Sequence, residues 1–198
     1  MNKAQLPPDT TLYPVPVVLI TCGHGEQTNI FTVNRIASCN AEPPMICISV
    51  RPGRASHALI QEGGEFVVNF PGSEMERVTD FVGATTMPKT DKWGETGLTP
   101  VAGVYVKPPL LVECPVNLEC RVVQQVKLAS HSLFVAEVLL IHADPAVLNI
   151  HQEVDFDRVQ GGLPYRSAVV RERPVANFRL ETLRAQVHAW RKQKHTDV

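Results

Sequence analysis

The spacing of chain breakers limits most strongly what this sequence can fold into. Over the first three quarters, apolar runs rich in β-branched residues recur, and most are stopped by glycine, proline or a polar turn before a helix could become stable. VPVVLITC (15–22) ends at Gly23 and Gly25, and NIFTV (29–33) follows it across GHGEQT, a hairpin spacing. MICISV (45–50) enters from Pro43-Pro44, which forbids a helix there, and EFVVNF (65–70) stops at Pro71-Gly72. NLECRVVQQVKL (117–128) and LFVAEVLLIHA (133–143) are longer and are joined by ASHS, a second hairpin link.

Helical signals are few. SHALIQE (56–62) has Ser56 as its expected N-cap and Gly63-Gly64 at its end. SEMERVTDFV (73–82) has Ser73 and Glu76 at capping-box spacing, with Gly83 as the expected terminator. From about Asn177 a stripe of Leu180, Leu183, Val187 and Trp190 keeps helical spacing. Short strands, frequent turns and two short helices predict a closed antiparallel barrel with helices outside it. A structureless stretch over 84–109 would be long for a compact domain, so its KTDKWGETGLTP is expected to line something.

Bulk properties exclude several classes. The 198 residues suit one domain with a sizeable core, and 44% hydrophobic with 20% charged residues reads as a soluble globular chain. A net charge of −1 gives no global basis for binding nucleic acid. No run approaches the roughly 20 apolar residues of a membrane span, and MNKAQLPPDT lacks the apolar run of a signal peptide. The five cysteines (Cys22, Cys39, Cys47, Cys114 and Cys120) are odd in number and lack C-x-x-C spacing, so they are expected to be reduced, mostly buried thiols in a cytoplasmic protein. Cys39 reads as a packing thiol, because no cysteine close in sequence is placed to resolve it.

One corner asks for a ligand. The strand ending at Val50 runs into Arg51, a Pro-Gly turn, Arg54 and the helix start at Ser56. Helix-start amides, a hydroxyl and two guanidinium groups together make a phosphate site. Upstream, TVNRIASCNAEPP sets Thr32, Asn34, Ser38 and Asn40 between two apolar strands, with Arg35 among them, a lining suited to a flat polar heterocycle. Nucleophile elbows, Walker loops, H-E-x-x-H zinc motifs and Rossmann glycines do not occur in the sequence.

In order, YPVPVVLITC, TVNRIASC, EPPMICISVRPGRASHALI, GEFVVNF, TDKWGETGLTP, PPLLVECPVNLECRVV and SHSLFVAEVLLIHAD resemble the flavin reductases and flavoredoxins. The resemblance runs from about Tyr13 to Asp144 and implies a mainly β fold, the FMN-binding split β-barrel with Greek-key topology and a few flanking helices. It implies an N-terminal arm (1–12), a barrel domain (13–165) and a partly helical C-terminal extension (166–198) packing on the barrel or a dimer mate. FMN is then expected at a homodimer interface. Thr32, Val33 and Asn34 would lie along the ring, Arg51, Arg54 and Ser56 at the phosphate, and Lys92, His131, Asn29 and Tyr165 nearby; Arg35 would face the ring or a substrate. The expected activity is hydride transfer from NADH or NADPH to FMN and electron delivery to a protein or small-molecule acceptor, the flavin itself carrying the chemistry. Three rivals remain open at this level. One is a flavoredoxin-like carrier serving a protein partner. Another is a haem site using His24, His57, His131, His142 or His151, and the third is an interaction module built on the C-terminal helix.

Overall fold

The computed structural model describes residues 3–10, 12, 15–87, 89–159 and 180–194. Its centre is one seven-stranded antiparallel sheet. In chain order the strands are β1 (Val18–Cys22), β2 (Asn29–Val33), β3 (Ile36–Asn40), β4 (Met45–Val50), β5 (Glu65–Phe70), β8 (Val116–Lys127) and β9 (Ser132–Ala143). They lie side by side as β2-β1-β5-β8-β9-β4-β3. β6 (Pro100–Val101) and β7 (Leu110–Leu111) pair separately. The helices are α1 (Ala55–Gly63), α2 (Glu76–Ala84), α3 (Lys92–Thr96), α4 (Phe156–Val159) and α5 (Leu180–Lys194).

The sheet curls because its connectivity leaves no alternative. Flat, its two outermost strands would stand about 29 Å apart, six gaps of about 4.8 Å. Yet β2 ends at Val33 and β3 begins at Ile36, and three Cα steps reach at most about 11 Å. The edges must therefore come round to each other. Register shifts between Glu119 and Cys120 and between Val122 and Gln124 supply the bends in the long β8–β9 pair. The predicted closed barrel is corrected to a curled half-barrel: among the described residues β2 pairs only with β1 and β3 only with β4. The β2 and β3 edges do not pair across the gap that the Asn34-Arg35 link crosses, although Arg35 O still accepts from Ser49 N at 3.0 Å.

β1 is buried on both faces, which explains its unbroken apolar run. Val18, Ile20 and Cys22 join Phe66, Val68, Ile48 and Phe134 inside the curl. Leu19 faces the other way, with Ile30, into a second core built by Met75, Val78, Phe81 and Val82 of the α2 region and Leu183 and Val187 of α5. Arg184 and His188 of α5 also reach Glu95 of α3 at 3.1 and 3.2 Å, and Arg191 donates to Gly94 O at 2.6 Å. Leu183, Val187 and Trp190 of the last helix's apolar stripe are thus seated on their own chain.

Several local expectations change. Ser56 is not the cap of α1; Arg54 holds that position without a side-chain cap bond, and Ser56 lies in the first turn. Ser73–Met75 form a short 3-10 turn with no capping bond from a side chain, so the capping box does not form. α2 runs through Gly83 to Ala84, and Thr85 ends it by returning both its N–H and its hydroxyl to Phe81 O. The polar stretch after Asn34 is strand β3, and the 84–109 segment contains α3. Of the cysteines, all free, three are buried, whereas Cys39 is exposed and Cys47 half-buried. No helix among the described residues is long and apolar enough to cross a membrane.

Candidate functional site

A cavity of about 330 Å³ opens where the two edges of the sheet diverge. β2 and the Asn34-Arg35 link form one wall, and the end of β4 with the start of α1 forms another. The C-terminal end of α2, Lys92 of α3 and His131 of the β8–β9 turn complete it. Ten of the residues singled out in the sequence line it together: Asn29, Thr32, Val33, Asn34, Arg35, Arg51, Arg54, Ser56, Lys92 and His131. Tyr165 lies outside the described residues.

The backbone explains why a strand edge faces the cavity. Thr28 O accepts from Trp93 Nε1 at 3.1 Å and Ile30 O from Lys92 Nζ at 2.7 Å, so both carbonyls point away from β1. Main-chain groups alternate along a strand, so those of Thr32 turn the same way, into the cavity. The Thr32 hydroxyl is already engaged, donating to Thr79 O at 2.6 Å. Thr32 therefore offers a ligand its backbone rather than its side chain.

At the corner, Arg54 N donates to Arg51 O at 3.1 Å, which closes the turn and carries both guanidinium groups to the cavity mouth. Neither makes an ion pair among the described residues, and both are exposed. The first amides of α1, those of Ala55 and Ser56, precede the helical ladder and are unpaired donors by position. Asn29 Nδ2 donates to Ser56 Oγ at 2.8 Å, which leaves the hydroxyl proton of Ser56 to be given to something else.

Lys92 is the most constrained charge. It is 5% exposed, and its ammonium spends one of three N–H groups on Ile30 O. Burial lowers its pKa from 10.5 to about 8, Cys22 opposing the shift and Arg54 adding to it. Burial pushes the Cys22 thiol up to about 12, so it stays neutral and supplies no counter-charge. No aspartate or glutamate is among the described residues that line the cavity, where Arg51, Arg54 and Lys92 gather and Arg35 adds a fourth cation. Among the described lining residues no nucleophile stands beside a base.

Sequence reasoning missed part of the lining: Phe31, Ser49 and the α2 terminus with Thr85, Thr86 and Met87. The available signal was the polar ATTM following an amphipathic helix, just ahead of the KTDKWGETGLTP expected to line something.

Comparison with known proteins adds family context. The flavin reductase like domain matches residues 10–158. A protein of Archaeoglobus fulgidus is 37% identical over 134 residues, 67% of this chain and 75% of the relative. The NADH-dependent FMN reductase AsuE2 of Streptomyces nodosus subsp. asukaensis is 29% identical, over 68% of this chain and 72% of its own. Among solved structures, flavoredoxin of Desulfovibrio vulgaris (Miyazaki F) superposes with a TM-score of 0.74 at 28% identity, covering 79% of this chain and 85% of that one.

Proposed function

Because the chain belongs to the flavin reductase like domain family, we propose that it binds FMN in this cavity and passes reducing equivalents from NADH or NADPH to an acceptor. The observation that carries the reading is the concentration of Arg51, Arg54, Lys92 and a helix start at a cavity with no carboxylate among its described lining residues. The residues fit the group. A phosphate dianion matches Arg51, Arg54, the Ser56 hydroxyl and the first amides of α1. A flat ring with several acceptors matches the outward backbone of Thr32 and Asn34, with Val33 between them as wall.

When bound, FMN supplies two-electron chemistry that no side chain of the cavity can supply. The chain's own residues bind and orient. Asn29 holds the Ser56 oxygen so that its proton points away, and Lys92 places positive charge beneath the β2 edge. Val33 forms wall, and Arg35 and His131 stand at the open side, where a nicotinamide would approach. A homodimer with the flavin between protomers, and Tyr165 as a neighbour of the ring, belong to the same proposal.

A second reading has support of its own. Flavoredoxin is a structural neighbour, so the FMN of this chain could serve as a carrier for a protein partner without rapid reduction by a nicotinamide. Anaerobic addition of NADH and then NADPH to the FMN-loaded protein separates the two: prompt bleaching of the flavin absorption supports the reductase, and bleaching only by dithionite supports the carrier. Arg51→Ala with Arg54→Ala tests the site itself. Each removes a charge-assisted bond of about 1.5–3 kcal/mol, so the pair should weaken FMN binding by roughly a hundredfold or more. An unchanged dissociation constant in a flavin-fluorescence titration would show that the phosphate lies elsewhere.

A further inference from the structure

Two cysteines, eight residues apart in sequence, come together beside the cavity. Cys39 belongs to β3 and Cys47 to β4. Ala37 pairs with Cys47, Ser38 with Ile46, and Asn40 with Met45, which makes Cys39 the extra residue of a β-bulge. Three residues of β3 therefore face two of β4, and this compression draws Cys39 back toward Cys47. Burial first, and then the neighbouring Cys39 thiol, raise the Cys47 pKa, in keeping with side chains that the bulge brings close together. Cys39 is exposed and Cys47 half-buried, whereas the other three cysteines are buried. Cys47 also lines a second cavity of about 310 Å³ that shares Asn34, Arg35 and Ser49 with the first.

We propose that Cys39 and Cys47 are a redox-active dithiol that a hydroperoxide converts to an intramolecular disulfide. The exposed Cys39 sulfur attacks the peroxide oxygen, the O–O bond breaks, and an alcohol (or water, from hydrogen peroxide) leaves, giving a sulfenic acid. The Cys47 sulfur then attacks the Cys39 sulfur, and the sulfenic hydroxyl departs with the Cys47 proton as water. Two thiols and one hydroperoxide thus yield one disulfide, one alcohol and one water, with two electrons passing from sulfur to oxygen. Two equivalents of an external thiol reverse the change by becoming a disulfide themselves.

The bond requires the sulfurs to close to about 2.05 Å, which draws the bulge toward β4. β3 can follow, because it is the outermost strand and pairs only with β4. Its first residue, Ile36, directly follows Arg35, so the movement reaches the link that forms the cavity wall. Oxidation therefore tightens that wall. This inference stands independently of which ligand the cavity holds.

The test uses the full chain, reduced, freed of reductant and treated with tert-butyl hydroperoxide. Intact mass should fall by two hydrogens and recover with dithiothreitol, and a non-reducing peptide map should join the Cys39 and Cys47 peptides. Cys39→Ser and Cys47→Ser should each retain both hydrogens and gain oxygen on the remaining thiol. Oxygen added separately to the two cysteines, or a link between chains, would overturn the pair. Hydrogen–deuterium exchange should slow across residues 34–40 in the oxidised wild type. Unchanged exchange there, with the disulfide formed, would overturn its transmission to the cavity wall.

Discussion

Replacing Lys92 by methionine in the flavin-free protein should remove a pH dependence that only a buried, uncompensated ammonium produces. Lys92 is 5% exposed, and its pKa falls from 10.5 to about 8, burial being the main cause. At 1.36 kcal/mol per pH unit the charged form costs the folded state about 3 kcal/mol. Below pH 8 both states hold the proton and the cost is fully present. Between 8 and 10.5 the unfolded chain binds more protons than the folded one, so the unfolding free energy rises with pH. Above 10.5 both are neutral and the cost is gone. Urea unfolding of wild type and Lys92→Met in steps from pH 7 to 10.5 reads this directly, because subtracting the variant cancels every titration the two proteins share. The difference should climb by about 3 kcal/mol in favour of the wild type. A flat difference would refute the claim that Lys92 is buried without a counter-ion. A bound phosphate would supply that counter-ion, so affinity for FMN should move oppositely, weakening above pH 8 by at most about tenfold per pH unit.

Two further substitutions test the scaffold. Glu119 is fully buried and accepts the N–H groups of Val104, Tyr105 and Val106 at 2.8, 2.6 and 2.9 Å and His142 Nε2 at 2.6 Å. Burial alone would raise its pKa, but these donors outweigh it and the net direction is down. Its contribution is therefore present above the ordinary carboxylate range and is lost as pH falls through the lowered value. Glu119→Gln should cost about 2–4 kcal/mol near neutrality by urea unfolding, and a loss under about 0.5 would discount these bonds. Gly97 sits at φ +65°, where an added Cβ would meet Arg191 Nε at 2.5 Å. Gly97→Ala should cost about 1–2 kcal/mol in thermal unfolding, and an unchanged midpoint would mean that the α3–α5 contact yields freely.

The strands were legible because each is an apolar run with a breaker at its end, and those signals are local. β3 was not, since IASCN is an edge strand with four exposed residues and carries no apolar periodicity. α3 escaped for a related reason. Five residues are too few for a helical pattern, and its stability comes from Asp91, which accepts from Gly94 N at 3.0 Å, and from α5 packed over it. The Ser56 cap failed because several polar residues near a helix start can compete for the cap. Here Ser56 Oγ accepts a bond from Asn29, on a strand 27 residues earlier, and no local pattern reports such a bond.

The lining of the candidate cavity was legible in the sequence as well, and the topology explains why. The most polar link between apolar strands, Asn34-Arg35, joins the two outermost strands of a seven-stranded sheet, so it must lie where the sheet fails to close. A gap in a sheet exposes unpaired backbone donors and acceptors, which are costly unless water or a ligand meets them. Apolar side chains would seal that gap; Asn34, Arg35 and Thr32 keep it open to a polar guest. On the opposite wall the same logic holds for charge. Arg51, Arg54 and Lys92 repel one another across a cavity with no carboxylate among its described lining residues, and Arg54 adds to the burial that depresses the pKa of Lys92. The open edge and the Arg51, Arg54 and Lys92 charges are two costs at one place, and the proposed flavin would relieve both, its ring at the edge and its phosphate at the cations.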